Sequence, residues 1–166
     1  MLIKFTNLHV GIHEINFKKD VNELQLVDQF VDNLILDCKL DKSQHQIVVN
    51  CNLTISAQLN CDRCNSDFIK KFESEFTLTY LFKKENVDNT NMNVKYLSLT
   101  DDKIDLTDDV IDYARLSIPM KKLCSEECKG LCVKCGTNLN QNNCGCYDEV
   151  ENPVWTPLLK LKDKLN

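Results

Sequence analysis

From Ile47 to Phe82 apolar and polar residues alternate with a period of two, broken once by Cys61-Asp62-Arg63-Cys64-Asn65. Before the break, Ile47, Val49, Cys51, Leu53, Ile55, Ala57 and Leu59 share one parity, and Asn50, Asn52, Thr54, Ser56 and Gln58 share the other. After it, Phe68, Phe72, Phe76, Leu78, Tyr80 and Phe82 share a parity, interrupted by Lys70 and Ser74. A helical turn would scatter these side chains around a cylinder, whereas a strand puts each set on one face. Two such strands joined by five residues form a long antiparallel hairpin with a cysteine pair at its tip.

Asn33 to Leu40 predicts a shorter strand of the same kind, with Leu34, Leu36, Cys38 and Leu40 inward. Asp41-Lys42-Ser43-Gln44 turns it toward Ile47. Cys38 and Cys51 then read as buried core thiols. Leu2–Phe17 reads as two short strands, Lys83–Asn93 as a flexible charged loop, and Val94–Leu99 as a returning strand. Thr107 reads as an N-cap, with Asp108 and Asp109 in the first turn where the helix dipole favours carboxylates. Val110, Ile111, Ala114 and Ile118 follow at helical spacing, and Pro119 ends the helix. Thr156, Pro157 and the stripe Leu158, Leu161, Leu165 predict a short closing helix. The expected fold is mainly β (α+β): an antiparallel sheet or partly closed barrel with a long hairpin, a short helix and a C-terminal zinc-binding segment. The expected divisions are a β-rich body over 1–118 with a helix near 107–118, a cysteine-rich segment over 119–150, and a C-terminal helix over 151–166.

Cysteine spacing carries the chemistry. Six of ten cysteines fall between Cys124 and Cys146, at 124, 128, 132, 135, 144 and 146. The N-terminus has no apolar run long enough for a secretory or membrane segment. That predicts a cytoplasmic protein, where clustered thiols serve as metal ligands more often than as disulfides. Cys132-Val133-Lys134-Cys135-Gly136 is a zinc-knuckle pattern, because two thiolates on one tight turn can face one ion. The remaining partners stay open. Cys144 and Cys146 can complete that site, or Cys124 and Cys128 can. The hairpin-tip Cys61 and Cys64 can instead meet Cys124 and Cys128 and clamp the tail to the sheet. A segment rich in Gly, Asn and Cys has few large apolar residues, so metal binding would supply its folding energy. All-thiolate sites leave no open position for water, which predicts a structural zinc and no enzyme.

The Cys61-x-x-Cys64 pair also permits a thiol-redox reading, but such pairs ordinarily open a helix in a βαβ unit, not a hairpin tip. His9, His13 and His45 are isolated in sequence, and no phosphate loop, nucleophile elbow or dinucleotide fingerprint is present. The formal net charge is −5, which excludes a uniformly basic nucleic-acid surface. Cations are local: Arg63, Lys121, Lys122, Lys129 and Lys134 flank the cysteines, and Lys160, Lys162 and Lys164 mark the tail.

Cys61-Asp62-Arg63-Cys64 after an alternating strand, then Ile118-Pro119-Met120-Lys121-Lys122-Leu123-Cys124, Cys128-Lys129-Gly130-Leu131-Cys132 and Cys135-Gly136-Thr137-Asn138-Leu139-Asn140, with Cys144 and Cys146 after, form an ordered set. This set resembles the YceD family, bacterial and plastid proteins linked to accumulation of large-subunit (23S) ribosomal RNA. The resemblance implies a non-enzymatic role in large-subunit RNA processing or assembly. Its partner would be a 23S precursor or a pre-large-subunit particle, reached directly or through a ribosomal protein, with neither membrane nor small-molecule substrate. Arg63, Lys121, Lys122, Lys129 and Lys134 are the candidate contacts. Two departures stand out. Val133 replaces a common proline, and Asn152-Pro153-Val154-Trp155 replaces a commoner Asp-Pro-Arg, removing one candidate phosphate contact. A zinc-ribbon module that binds protein and no RNA is the competing expectation, and it suits the acidic charge.

Overall fold

The computed structural model describes residues 1–26, 29–82, 93–98 and 100–146. The expected C-terminal helix, the tail lysines, residues 83–92 of the expected loop and Leu99 lie outside the described residues. The chain divides into two compact units, one of residues 1–62 and 66–126, the other of 63–65 and 127–166.

In the first unit, strands β1 (Leu2–Ile3), β2 (Gly11–Asp20), β3 (Phe30–Lys42), β4 (Gln46–Asn60), β5 (Asp67–Phe82), β6 (Val94–Leu97) and β7 (Ile104–Asp105) precede helix α1 (Thr107–Leu116). Strands β2 to β6 form one five-stranded sheet in sequence order, and β1 pairs with β7 in a separate two-stranded ribbon. The long hairpin is present with β4 and β5 in continuous register from Gln46↔Leu81 to Asn60↔Asp67. β2, β3 and β4 are likewise antiparallel, while β6 joins β5 in parallel through Thr79↔Val94 to Phe82↔Leu97. The sheet is open, so of the two expected architectures the sheet is the one found.

The alternation explains the core. Leu34, Leu36, Leu40, Ile47, Val49, Leu53 and Leu78 are wholly buried, all on the predicted parity. Each such side chain contributes roughly 1.5–3 kcal/mol by leaving water. Val110 and Ala114 of α1 are equally buried and extend that core. Tyr113 on the same helix stacks on Phe76 of β5, with ring centroids 4.1 Å apart.

Several boundaries differ from those expected: β3 runs on to Lys42, through half of the expected turn, and α1 stops at Leu116 and not at Ile118. β3 begins at Phe30, not Asn33, because a register shift between Val31 and Ile35 interrupts its alternation; Asp32 there has φ 66°. β2 continues to Asp20, since its half-exposed residues pair fully with β3 although few of them are apolar. At α1, Leu106 occupies the N-cap position and Thr107 is already helical. The Asp105 carboxylate does the capping by accepting the Thr107 backbone N–H at 2.9 Å.

The Thr107 hydroxyl above all holds the Asp105 carboxyl at about 2; burial opposes it, and the Thr107 backbone N–H and the Met1 ammonium add smaller lowering effects. A carboxyl depressed on folding adds stability above its unfolded value near 3.8, and that part is lost as pH falls toward 2. Asp105→Asn should therefore be less stable than wild type at pH 6, with the gap closing between about pH 4 and 2. Urea titrations of both proteins across that range check this, and a gap independent of pH would refute it.

Candidate metal centres

The hairpin turn is built from short polar bonds. Cys61 donates its N–H to the Ser66 carbonyl at 3.0 Å, and Asn65 takes φ 54° to turn the chain. Asp62 is tied to the segment after α1 at two points. Its backbone N–H donates to the Lys122 carbonyl at 2.8 Å, and its carboxylate accepts the Lys122 N–H at 2.6 Å. The Cys124 N–H then points at Cys61 Sγ, 3.4 Å away. A backbone N–H aimed at sulfur stabilises the thiolate form that a metal needs.

In the second unit, residues 130–139 make a miniature hairpin. Leu131 and Asn138 form an antiparallel bridge, Cys132 N–H donates to the Thr137 carbonyl at 2.8 Å, and Leu139 N–H donates to the Gly130 carbonyl at 2.9 Å. Gly136 closes the knuckle with φ +73° and an N–H bond of 2.9 Å to the Cys132 carbonyl. Gly130 is needed for both conformation and space: its φ is +78°, and a Cβ there would sit 3.0 Å from the Arg63 carbonyl oxygen. Leu131 N–H donates to that same oxygen at 3.0 Å, and the Arg63 guanidinium donates to the Cys128 carbonyl at 3.0 Å. Arg63, read from sequence as a partner contact, thus spends one donor inside the protein.

The sulfur atoms fall into two sets of four. Cys61, Cys64, Cys124 and Cys128 form one, and Cys132, Cys135, Cys144 and Cys146 the other. Within each set all four sulfurs lie within 4.8 Å of one another. A tetrahedral Zn–S distance of about 2.3 Å puts sulfurs about 3.8 Å apart, so both sets fit one ion each. Of the ligand partitions open at the sequence level, this is the knuckle completed by Cys144 and Cys146, with the hairpin-tip pair joined to Cys124 and Cys128. In the first set Cys61, Cys64 and Cys128 are buried and Cys124 is exposed; in the second none is buried.

Two supporting residues escape a search for cysteines alone. Asn140 donates its amide to Cys128 Sγ at 3.3 Å, while its carbonyl accepts the Lys129 N–H at 2.8 Å. The Thr137 hydroxyl lies 3.2 Å from Cys135 Sγ. That hydroxyl and the Thr137 N–H lower the Cys135 thiol to about 6. Backbone N–H groups of Cys135 and Lys134 lower Cys132 in the same way. Such donors orient metal-binding thiolates and favour their ionised form. The signal for both was the Cys-Gly-Thr-Asn-Leu-Asn run beside the knuckle. Of the candidate contacts, Lys121, Lys129 and Lys134 are exposed and Lys122 is half-buried. Among the described residues no helix is long and apolar enough to cross a membrane.

The class these features define is an open β-sheet protein with two four-sulfur sets, each of which could hold a metal ion. The particular family follows from comparison with known proteins. The family model described as "Large ribosomal RNA subunit accumulation protein YceD" matches residues 49–162, more than half the chain, and the chain belongs to that family. It is 35% identical over 63 residues to the Arabidopsis thaliana protein named large ribosomal RNA subunit accumulation protein YCED homolog 1, chloroplastic; that match covers 38% of the chain and 20% of the relative. The Zea mays protein of the same name is 40% identical over 47 residues, 28% of the chain and 16% of the relative. An uncharacterized protein of Mycobacterium bovis is 24% identical over 139 residues, 84% of the chain and 66% of the relative. The chain thus spans a fifth of the Arabidopsis protein and about two-thirds of the mycobacterial one. No solved structure matches it.

Proposed function

We propose that this chain is a non-enzymatic factor that supports accumulation and processing of 23S ribosomal RNA and assembly of the large ribosomal subunit. The observation that carries this reading is the match over residues 49–162 to a family named for accumulation of the large ribosomal RNA subunit. We assign zinc to both sulfur sets, because four thiolates suit its tetrahedral preference and close its coordination shell. Zinc would then order the loops that present Lys121, Lys122, Lys129 and Lys134 to a precursor particle or to a ribosomal protein on it. Cys61 and Cys64 act as structural ligands in this reading and do not cycle through a disulfide. The reduced thiols suit a cytoplasmic site of action.

A protein-binding module without RNA contact is the second reading, favoured by the net charge of −5. Sedimentation of lysate containing the tagged full chain separates the two, with and without RNase. Co-migration with large-subunit precursors that RNase abolishes supports the assembly reading. RNase-resistant capture of free protein, with no protein in any ribosomal fraction, refutes it. Depletion of the chain should also lower mature 23S RNA relative to small-subunit RNA.

A further inference from the structure

Two cysteines stand apart from both sulfur sets. Cys38 on β3 and Cys51 on β4 are direct partners in the antiparallel register. Both are 3% exposed, and their sulfurs are 3.1 Å apart. Directly opposed residues on antiparallel strands have Cα separations of about 4.5–5.5 Å, and disulfides span Cα separations of about 4.4–6.8 Å. The backbone here is already placed for a bond, and only the side chains must close up.

We propose that Cys38 and Cys51 are an oxidation site, a thiol pair that small hydroperoxides convert to a cross-strand disulfide between β3 and β4. Burial among Leu36, Leu40, Val49 and Leu53 excludes bulky oxidants, while hydrogen peroxide is little larger than water. Both cysteines also line a cavity of about 710 Å³ that includes Phe76 and Tyr113, so the pair borders a space a small oxidant can enter. The order of events follows from the sulfur–sulfur hydrogen bond. Either sulfur can donate in that bond; with Cys51 as the donor, the bond lowers the Cys38 thiol against the opposing effects of burial and Asp37, and raises Cys51. Cys38 therefore attacks the peroxide as thiolate, forming Cys38 sulfenic acid and releasing hydroxide, which takes the proton that Cys38 gave up. The Cys51 sulfur then displaces the sulfenic hydroxyl as water, with its own proton leaving on that oxygen. In sum, two thiols and one hydrogen peroxide give one disulfide and two waters.

The bond would close a short loop containing the β3–β4 turn. It would restrain the unfolded chain and leave the register unchanged. The chemistry proposed here does not depend on RNA binding; zinc release from the sulfur sets enters only as the reference dose in its test.

The test uses the full chain, zinc-loaded and reduced, exposed to graded hydrogen peroxide, then denatured, alkylated and digested with trypsin. Cys38 lies in the peptide 20–39, and Cys51 shares the peptide 43–63 with Cys61. The expected product is a 20–39/43–63 cross-link whose fragmentation places the bond at Cys51, with Cys61 alkylated. It should form at peroxide doses below those that release zinc, and it should shift the urea midpoint upward. Cys51→Ala should replace the cross-link with a dimedone-reactive sulfenic acid on Cys38. If that variant does not fold, the wild-type peptide map decides alone. Recovery of both cysteines in alkylated form at every dose up to zinc release would overturn the proposal, as would a bond from Cys38 to any other cysteine.

Discussion

Zinc removal should unfold the second unit while the five-stranded sheet stays intact. Residues 127–146 contain Leu131, Val133 and Leu139 as their only large aliphatic side chains, and Val133 is fully solvent-exposed at 97%. Cys128 and Gly130 are the only buried residues of that segment. Burial of apolar surface cannot offset the backbone entropy of ordering twenty residues at about 1–2 kcal/mol each. Structural zinc in small peptides contributes about 10–16 kcal/mol, which is the right scale. The first unit is different, because its fully buried leucines and valines make a core that owes nothing to metal. Metal analysis of the purified chain should give two zinc ions, and Cys132→Ser should retain one. Hydrogen exchange in the variant should rise across 130–146 and stay slow in β3, β4 and β5. Two zinc ions retained by Cys132→Ser, or metal-free protein with slow exchange across 130–146, would refute this.

Legibility from sequence followed local determinants. The β4–β5 hairpin was readable because its period is unbroken for thirteen residues and then resumes, and its ends moved by only a residue. β2 was harder, because Gly11–Asp20 is half-exposed and its partner β3 supplies the deep side chains. The parallel direction in which β6 pairs with β5 is a property of partner choice, which no period encodes. The helix start illustrates a competition between neighbours. Asp105 and Thr107 are both good capping residues, and only the geometry shows that Asp105 accepts while Thr107 donates. The cysteines divide the same way. Knuckle chemistry is local and visible as Cys-x-x-Cys-Gly. The partition into two sets joins residues sixty positions apart, and spacing alone leaves it open. Cys38 and Cys51 were readable as inward thiols, but their opposition depends on a register set by the β3–β4 turn. There Ser43 and Gln46 bond through both backbone and side chain.

Replacing Lys121, Lys129 and Lys134 together with glutamate should abolish co-migration with large-subunit precursors if the proposed function is right. These three side chains are exposed, so their reversal leaves the core and the sulfur sets in place. Arg63 is the wrong residue for this test, although it stands in the hairpin tip. Its guanidinium donates to the Cys128 carbonyl, and its own carbonyl accepts the Leu131 N–H, so its loss would disturb the fold beside a sulfur of the first set. Lys122 is also less suitable, being half-buried with its backbone bound to Asp62. Each phosphate that a lysine neutralises contributes roughly 0.7–0.9 to the log–log salt slope. Three contacts therefore give a slope near 2–3, shallow beside that of dedicated nucleic-acid binders. On an acidic chain of net charge −5, three reversals change the charge by −6, to −11. Repulsion from phosphate then replaces attraction at the only surface proposed to meet it. The expected result is loss of the salt-dependent component, with zinc content and urea midpoint unchanged. A variant that folds, keeps its two zinc ions and still sediments with the precursors would show that the partner reads another surface of the protein.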